Sequence, residues 1–228
     1  GRVVGAESLL RWMHPVRGLV YPGSFVPQAE KSNLMNALTE WVVNAALDQV
    51  VRWREEGIIL SLAVNVSARD LTSPRFAEMI LEALTRRGLD GESLELEITE
   101  SAIMEDPIHA IGVLKRFSDV RVVISIDDFG TGYSSLQYLS RFPATVIKVD
   151  QSFVRNLRSD DGARHIIDAA VRLAHALGME VVVEGVESEE TFEMLREMGC
   201  DIAQGYGVSP PLSEEDFRSW YFSRTMSG

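Results

Sequence analysis

The 228-residue chain is 46% hydrophobic and 25% charged, ordinary globular material and long enough for one α/β domain with a large buried core. A formal net charge of -12 argues against gripping a nucleic-acid polymer through a broad basic surface, so an anionic substrate would need a metal cation. The single cysteine, Cys200, precludes an internal disulfide framework and suits a reducing cytosol; no signal pattern opens the chain, and no apolar run approaches the ~18 residues of a membrane span.

In chain order, RVVGAE reads as a strand ending at Glu7. Leu38, Val42, Ala46, Val50 and Trp53 share one face at helical spacing and Gly57 follows, which predicts a core-facing helix over about 36 to 56. LSLAVN is a strand ending in Asn65. Ser73 and Pro74 predict the cap and first position of a helix over about 74 to 86, stopped by Gly88. Next come a strand at about 94 to 98, a helix at 106 to 117, a strand at 121 to 127, a helical turn after Tyr133 and a strand at 145 to 149. The alternation ends with a helix at about 160 to 176, a strand at 180 to 184, a helix at 189 to 197, a strand at 200 to 204 and a helix near 213 to 221.

Seven apolar runs thus finish in a polar or charged residue: Glu7, Asn65, Glu97, Asp127, Lys148, Glu184 and Gln204. In a βα repeat the carboxyl ends of the strands share one face, so these residues are expected to converge. The fold class expected is α/β, a TIM-like (β/α)8 barrel one strand short, its first helix and strand lacking upstream of Gly1. Parity along RVVISID puts Val123, Ser125 and Asp127 on one side and Val122, Ile124 and Ile126 on the other. Glu95 and Glu97 likewise oppose Leu94, Leu96 and Ile98.

Glu7, Glu97, Asp127, Asp128 and Glu184 are more acids than Lys148 can neutralise, which points to a divalent metal. Carboxylates with one amide oxygen are ligands for Mg²⁺ or Mn²⁺ rather than zinc. His14, His109, His165 and His175 lack metalloprotease spacing and read as surface or capping residues. Asp127 and Asp128 before Phe129-Gly130-Thr131-Gly132 could reach one place, and a shared Asp could bridge two cations ~3.5–4 Å apart. Taken singly, each residue has a plainer role: Asp128 as a helix cap, Lys148 and Glu97 as ion-pair partners, and Glu100, on a loop after Thr99, as an acceptor of backbone bonds. Asp128-Phe129-Gly130 matches a kinase tripeptide, but no glycine-rich phosphate loop or HRD-like loop accompanies it.

The runs VGAESLLRW, GLVYPGSFVPQAE, AVNVSARDL, LELEITES, IDDFGTGYSSL, IKVDQSFV, VVVEGVES and AQGYGVSPPL resemble, in order, the bacterial EAL-domain phosphodiesterases. The resemblance implies a single EAL-like domain over 1–228, N-terminally incomplete, with a TIM-like barrel containing one antiparallel strand. It implies hydrolysis of cyclic di-GMP to linear pGpG with two Mg²⁺ or Mn²⁺ ions per active site. Glu7, Asn65, Glu97 and Asp127 would hold one metal, and Asp127 and Asp128 the other. Lys148 would orient or activate the attacking water, and Glu184 would be a second-metal ligand or general base. Gln204 and Glu187 would support the site from behind, Glu100 would tie down the Asp-Asp-Phe-Gly-Thr-Gly loop, and Leu9, Arg11 and Pro27 would line the nucleotide site, with Arg11 meeting phosphate. Ser8 stands where the family usually has alanine and by parity faces away from the pocket. Tyr133, Leu136, Tyr138 and Leu139 form an apolar and aromatic cluster that is either helix packing or an interface, and the resemblance implies a homodimer through this neighbourhood, upstream sensory or GGDEF domains, and a cytoplasmic setting with inner-membrane attachment of a longer chain left open. The alternative function is a catalytically weak cyclic di-GMP receptor or protein-interaction module.

Overall fold

The computed structural model describes residues 1–32, 34–131, 136–158 and 160–225, and among these the side chains of 136 and 137 are not described. The described chain divides into two compact units, residues 5–126 with 134–144, and residues 1–4 with 127–133 and 145–228.

The first unit carries β1 (Gly5–Glu7), β2 (Trp12–His14), β3 (Gly18–Val20), α1 (Val26–Lys31), α2 (Met35–Glu55) and β4 (Ser61–Val66). It continues with α3 (Ala68–Thr72), α4 (Phe76–Arg87), β5 (Leu94–Thr99), α5 (Glu100–Glu105), α6 (Pro107–Ser118), the first part of β6 (Val123–Phe129) and α7 (Leu136–Leu139). β4 pairs in parallel with β1, Glu7 beside Ala63, and with β5, Asn65 beside Glu97. Leu62, Ala63, Val64 and Val66 of β4 are all buried, the near-continuous apolar run of a parallel strand covered on both faces. Each fully buried Leu, Ile or Val side chain contributes about 1.5–3 kcal/mol.

The second unit takes β6 onward from Asp127 and adds β7 (Val146–Val149), α8 (Gln151–Arg155), α9 (Asp161–Ala176), β8 (Glu180–Val183), α10 (Glu189–Glu197), β9 (Ile202–Ala203) and α11 (Glu214–Thr225). β8 pairs in parallel with β7, Lys148 beside Val182, and with β9, Val183 beside Ala203.

The fold class is α/β of the TIM-like kind, with all seven expected strands present as β1, β4, β5, β6, β7, β8 and β9. The antiparallel pairing described here is the β2–β3 hairpin, which the sequence reading passed over because its strands are three residues long and largely exposed. Four expectations shift. The strand placed at 121 to 127 starts at Val123 and runs to Phe129, so both Asp127 and Asp128 lie within β6. The buried face of α2 passes through Met35, Thr39, Val43, Ala46, Leu47, Val50 and Trp53, leaving Leu38 and Val42 at its half-buried edge. Thr39 takes a core position because its hydroxyl donates to Asp70 Oδ2 at 2.9 Å. Ser73 ends α3 rather than capping α4, which begins at Phe76, whose N–H bonds the Ser73 carbonyl at 3.1 Å.

The fourth shift concerns Glu100. It is the first residue of α5, not a loop residue, and is 4% exposed, with Thr99 as N-cap accepting from Ala102 N–H at 3.3 Å. Of the apolar cluster expected beyond the glycine loop, Tyr133 and the Leu136 side chain lie outside the described residues, Tyr138 is half-buried and Leu139 is buried. No helix among the described residues is long and apolar enough to cross a membrane.

Candidate active site

In the first unit the β-ladder does the assembly. Register places Asn65 at the end of β4 beside Glu97 on β5, while Glu7 closes β1 on the other side of β4. The Asn65 amide donates to Glu7 Oε1 at 3.0 Å and to Glu97 Oε2 at 3.3 Å, so one neutral group bridges two carboxylates. Glu97 is 2% exposed, and burial without such donors would cost several kcal/mol on the order expected for a desolvated carboxylate. Ser8 extends β1 by one step: its N–H and its hydroxyl both donate to the Ala63 carbonyl, at 2.9 and 2.7 Å.

Ser67, two residues past Asn65, binds a further buried acid that the sequence pattern does not reveal. Asp70 Oδ2 accepts from Ser67 N–H, Ser67 Oγ and Thr39 Oγ1 at 3.0, 2.6 and 2.9 Å. Ser67 caps α3 directly after β4. Burial holds the Asp70 carboxyl above the usual carboxylate range, outweighing these donors.

In the second unit the acids gather around a cation. Lys148, 1% exposed on β7, puts Nζ 2.7 Å from Glu184 Oε1 and 3.9 Å from Asp127 Oδ1. Asp128 has a positive φ of 55°, a backbone state Asp tolerates better than most residues. Its N–H donates to Asp127 Oδ1 at 2.9 Å. Burial, then Asp127 and Asp150, raise the Asp128 carboxyl above its ordinary range, and Lys148 pulls the other way. Asp150 was also overlooked. It lies two residues beyond Lys148 and caps α8 by accepting from Ser152 N–H at 2.9 Å, and the shared strand parity with Lys148 was the available signal.

Two glycines here are sterically required. Gly130 has φ 92°, and a Cβ there would lie 3.2 Å from the Phe153 ring. Gly185, next to Glu184, has φ 72° and would meet Gln151 Cβ at 2.5 Å.

The remaining assigned residues occupy separate places. Gln204 N–H bonds the Val183 carbonyl and its own carbonyl accepts from Val186 N–H, at 2.9 and 3.0 Å, stitching the residue after β9 to the segment leading to exposed Glu187. In the first unit Leu9 is exposed, Pro27 is an exposed residue in the first turn of α1, and Arg11 faces Tyr21 and the Leu10 carbonyl. As capping and surface roles anticipate, His14 accepts from Val16 and Arg17 N–H and His175 contacts Asp201 at 2.9 Å.

Among the described residues no three His, Cys, Asp or Glu side chains form a ready metal cage. In each unit a nitrogen donor sits against the acids, Asn65 in one and Lys148 in the other. The donor set still fits a hard divalent cation, being carboxylate oxygens plus an amide oxygen. Asn65 would offer Oδ1 after half a turn of its amide, so the fit is one of donor type rather than of present pose.

Residues 1–211 match the family model described as EAL domain, and the chain belongs to that family. It is 42% identical over 220 residues to the cyclic di-GMP phosphodiesterase PA2567 of Pseudomonas aeruginosa, covering 96% of this chain and 38% of that protein. It is 38% identical to the cyclic di-GMP phosphodiesterase PdeR of Escherichia coli, over 97% of this chain and 33% of that protein. The chain therefore spans about a third of the length of these curated relatives. A solved PaMucR phosphodiesterase in complex with c-di-GMP aligns at a TM-score of 0.91 and 40% identity, over 95% of this chain and 88% of that one.

Proposed function

We propose that this chain hydrolyses one phosphodiester bond of cyclic di-GMP, giving linear pGpG, with two Mg²⁺ or Mn²⁺ ions. The observation that carries the reading is the Lys148–Glu184 pair at 2.7 Å with Asp127 alongside, in a chain of the EAL family. A fully buried lysine among carboxylates suits reaction chemistry better than surface solvation. Similarity to relatives named as cyclic di-GMP phosphodiesterases supports the substrate.

Metal ligation is assigned to Glu7, Asn65, Glu97, Asp127, Asp128 and Glu184. When bound, the ions supply Lewis-acid charge and bring a water's pKa toward neutrality. Lys148 orients the attacking water through its ammonium and pairs with Glu184, which serves as ligand or proton acceptor. Arg11 meets a substrate phosphate, and Leu9 and Pro27 line the nucleotide site. Gln204 and Glu187 back the site, and Glu100 keeps the supporting role the family resemblance gives it. Residues 1–228 act as one EAL-like domain, in the cytosol and as a homodimer.

The test is an assay of cyclic di-GMP turnover with Mg²⁺, Mn²⁺, Ca²⁺ or chelator. Conversion to pGpG is expected with Mg²⁺ and Mn²⁺, poorly with Ca²⁺, whose longer and more flexible coordination suits in-line attack badly. Full turnover in excess EDTA overturns the mechanism.

A further inference from the structure

We infer that Tyr21 is a positioning residue for Arg11, holding in place the guanidinium assigned above to substrate phosphate; the inference rests on that reading. The hairpin makes the pair. β2 and β3 run antiparallel with Trp12 opposite Val20, Met13 opposite Leu19 and His14 opposite Gly18. One step outward along the same register sets Arg11 opposite Tyr21, where cross-strand side chains meet. The turn that fixes this register is closed by His14, whose Nδ1 accepts from Val16 and Arg17 N–H at 3.1 and 3.2 Å. The Trp12 ring, edge-on to His14 and to Phe25 at 4.7 and 5.6 Å, anchors the hairpin at the start of α1.

Two contacts then restrain Arg11. Its guanidinium carbon lies 4.8 Å from the Tyr21 ring centroid, and Nη1 donates to the Leu10 carbonyl at 2.8 Å. A long arginine loses rotamer freedom when it grips phosphate, and one already held over a ring loses less. Tyr21 is 60% exposed, so its ring contributes little to the core, and positioning accounts for the contact that packing does not. A cation over an exposed aromatic ring predicts a binding effect of roughly two- to fivefold.

The experiment compares the intact chain with Tyr21→Ser, Tyr21→Phe, Arg11→Ala and the Tyr21→Ser/Arg11→Ala double variant. Steady-state turnover of cyclic di-GMP is measured in Mg²⁺, and the Kd for cyclic di-GMP by calorimetry in Ca²⁺. Tyr21→Ser is expected to raise KM and Kd roughly two- to fivefold with kcat unchanged. Tyr21→Phe, which keeps the ring, retains the parent values, and Tyr21→Ser adds nothing in the Arg11→Ala background. An unchanged or lowered KM and Kd in Tyr21→Ser, or the same rise persisting without Arg11, overturns the inference while leaving the hydrolase intact. Binding without turnover in the parent sinks the hydrolase reading, and the Kd comparison then decides Tyr21 alone. An Arg11→Ala variant that binds as tightly as the parent removes the phosphate role and the inference with it.

Discussion

The two units solve one electrostatic problem in opposite ways. In the first, Glu7 and Glu97 share the neutral amide of Asn65, and Asp70 takes its hydroxyl and amide donors on Oδ2 alone while Oδ1 is buried with no hydrogen bond. In the second, Asp127 and Glu184 face the ammonium of Lys148, a full charge with 1% exposure. Neutral donors stabilise a carboxylate while leaving its charge uncancelled. A buried ammonium opposite carboxylates cancels their charge instead.

The largest effects should come from removing acids. Asp127→Ala and Glu7→Ala are expected to abolish turnover and weaken metal binding, because each deletes a hard oxygen ligand. Metal titration by calorimetry beside kinetics checks this, and either variant binding metal like the parent breaks the assignment. Lys148→Ala should lower kcat by roughly 10²- to 10⁴-fold while sparing metal affinity. If Lys148→Ala lost metal binding as fully as Asp127→Ala, the division of roles between a lysine acting on water and an aspartate holding metal would fail.

A smaller effect is expected at the glycine that seats Glu184. Gly185→Ala forces a side chain into a positive-φ position with Gln151 Cβ 2.5 Å away, costing about 1–3 kcal/mol. Urea unfolding should show that loss, together with a fall in kcat as Glu184 moves from Lys148. An alanine variant with parental stability would show that Gln151 gives way freely.

Much of this was legible in the residues. Strand parity set Glu97 on the side where it meets Asn65 and Asp127 on the side where it meets Lys148, because the side-chain period of a strand is two and tolerates boundary errors of a residue or so. The β2–β3 hairpin was not legible, since three-residue exposed strands carry no hydrophobic alternation to read. Thr39 and Asp70 escaped for a related reason: each is polar, and only the pairing of α2 with α3 makes them core residues. Asp150 shares strand parity with Lys148, but its position directly before a helix is also that of an ordinary N-cap, which it is.

The smallest expected effect tests the neutral side of the contrast, at Asp70. Its folded-state pKa is raised by burial, so between the unfolded value near 3.9 and the raised folded value the native state binds more protons than the unfolded one. Stability contributed by this group is then fully present below the unfolded pKa and is lost as pH rises through the folded pKa. Asp70→Asn removes the titration while keeping an acceptor for Ser67 and Thr39. The stability of the variant relative to the parent should therefore rise with pH from about 4 and level off above the raised pKa. Urea unfolding of both proteins across a pH series measures the difference. A flat difference would mean that the Ser67 and Thr39 donors fully offset burial, and a falling one that those donors outweigh it.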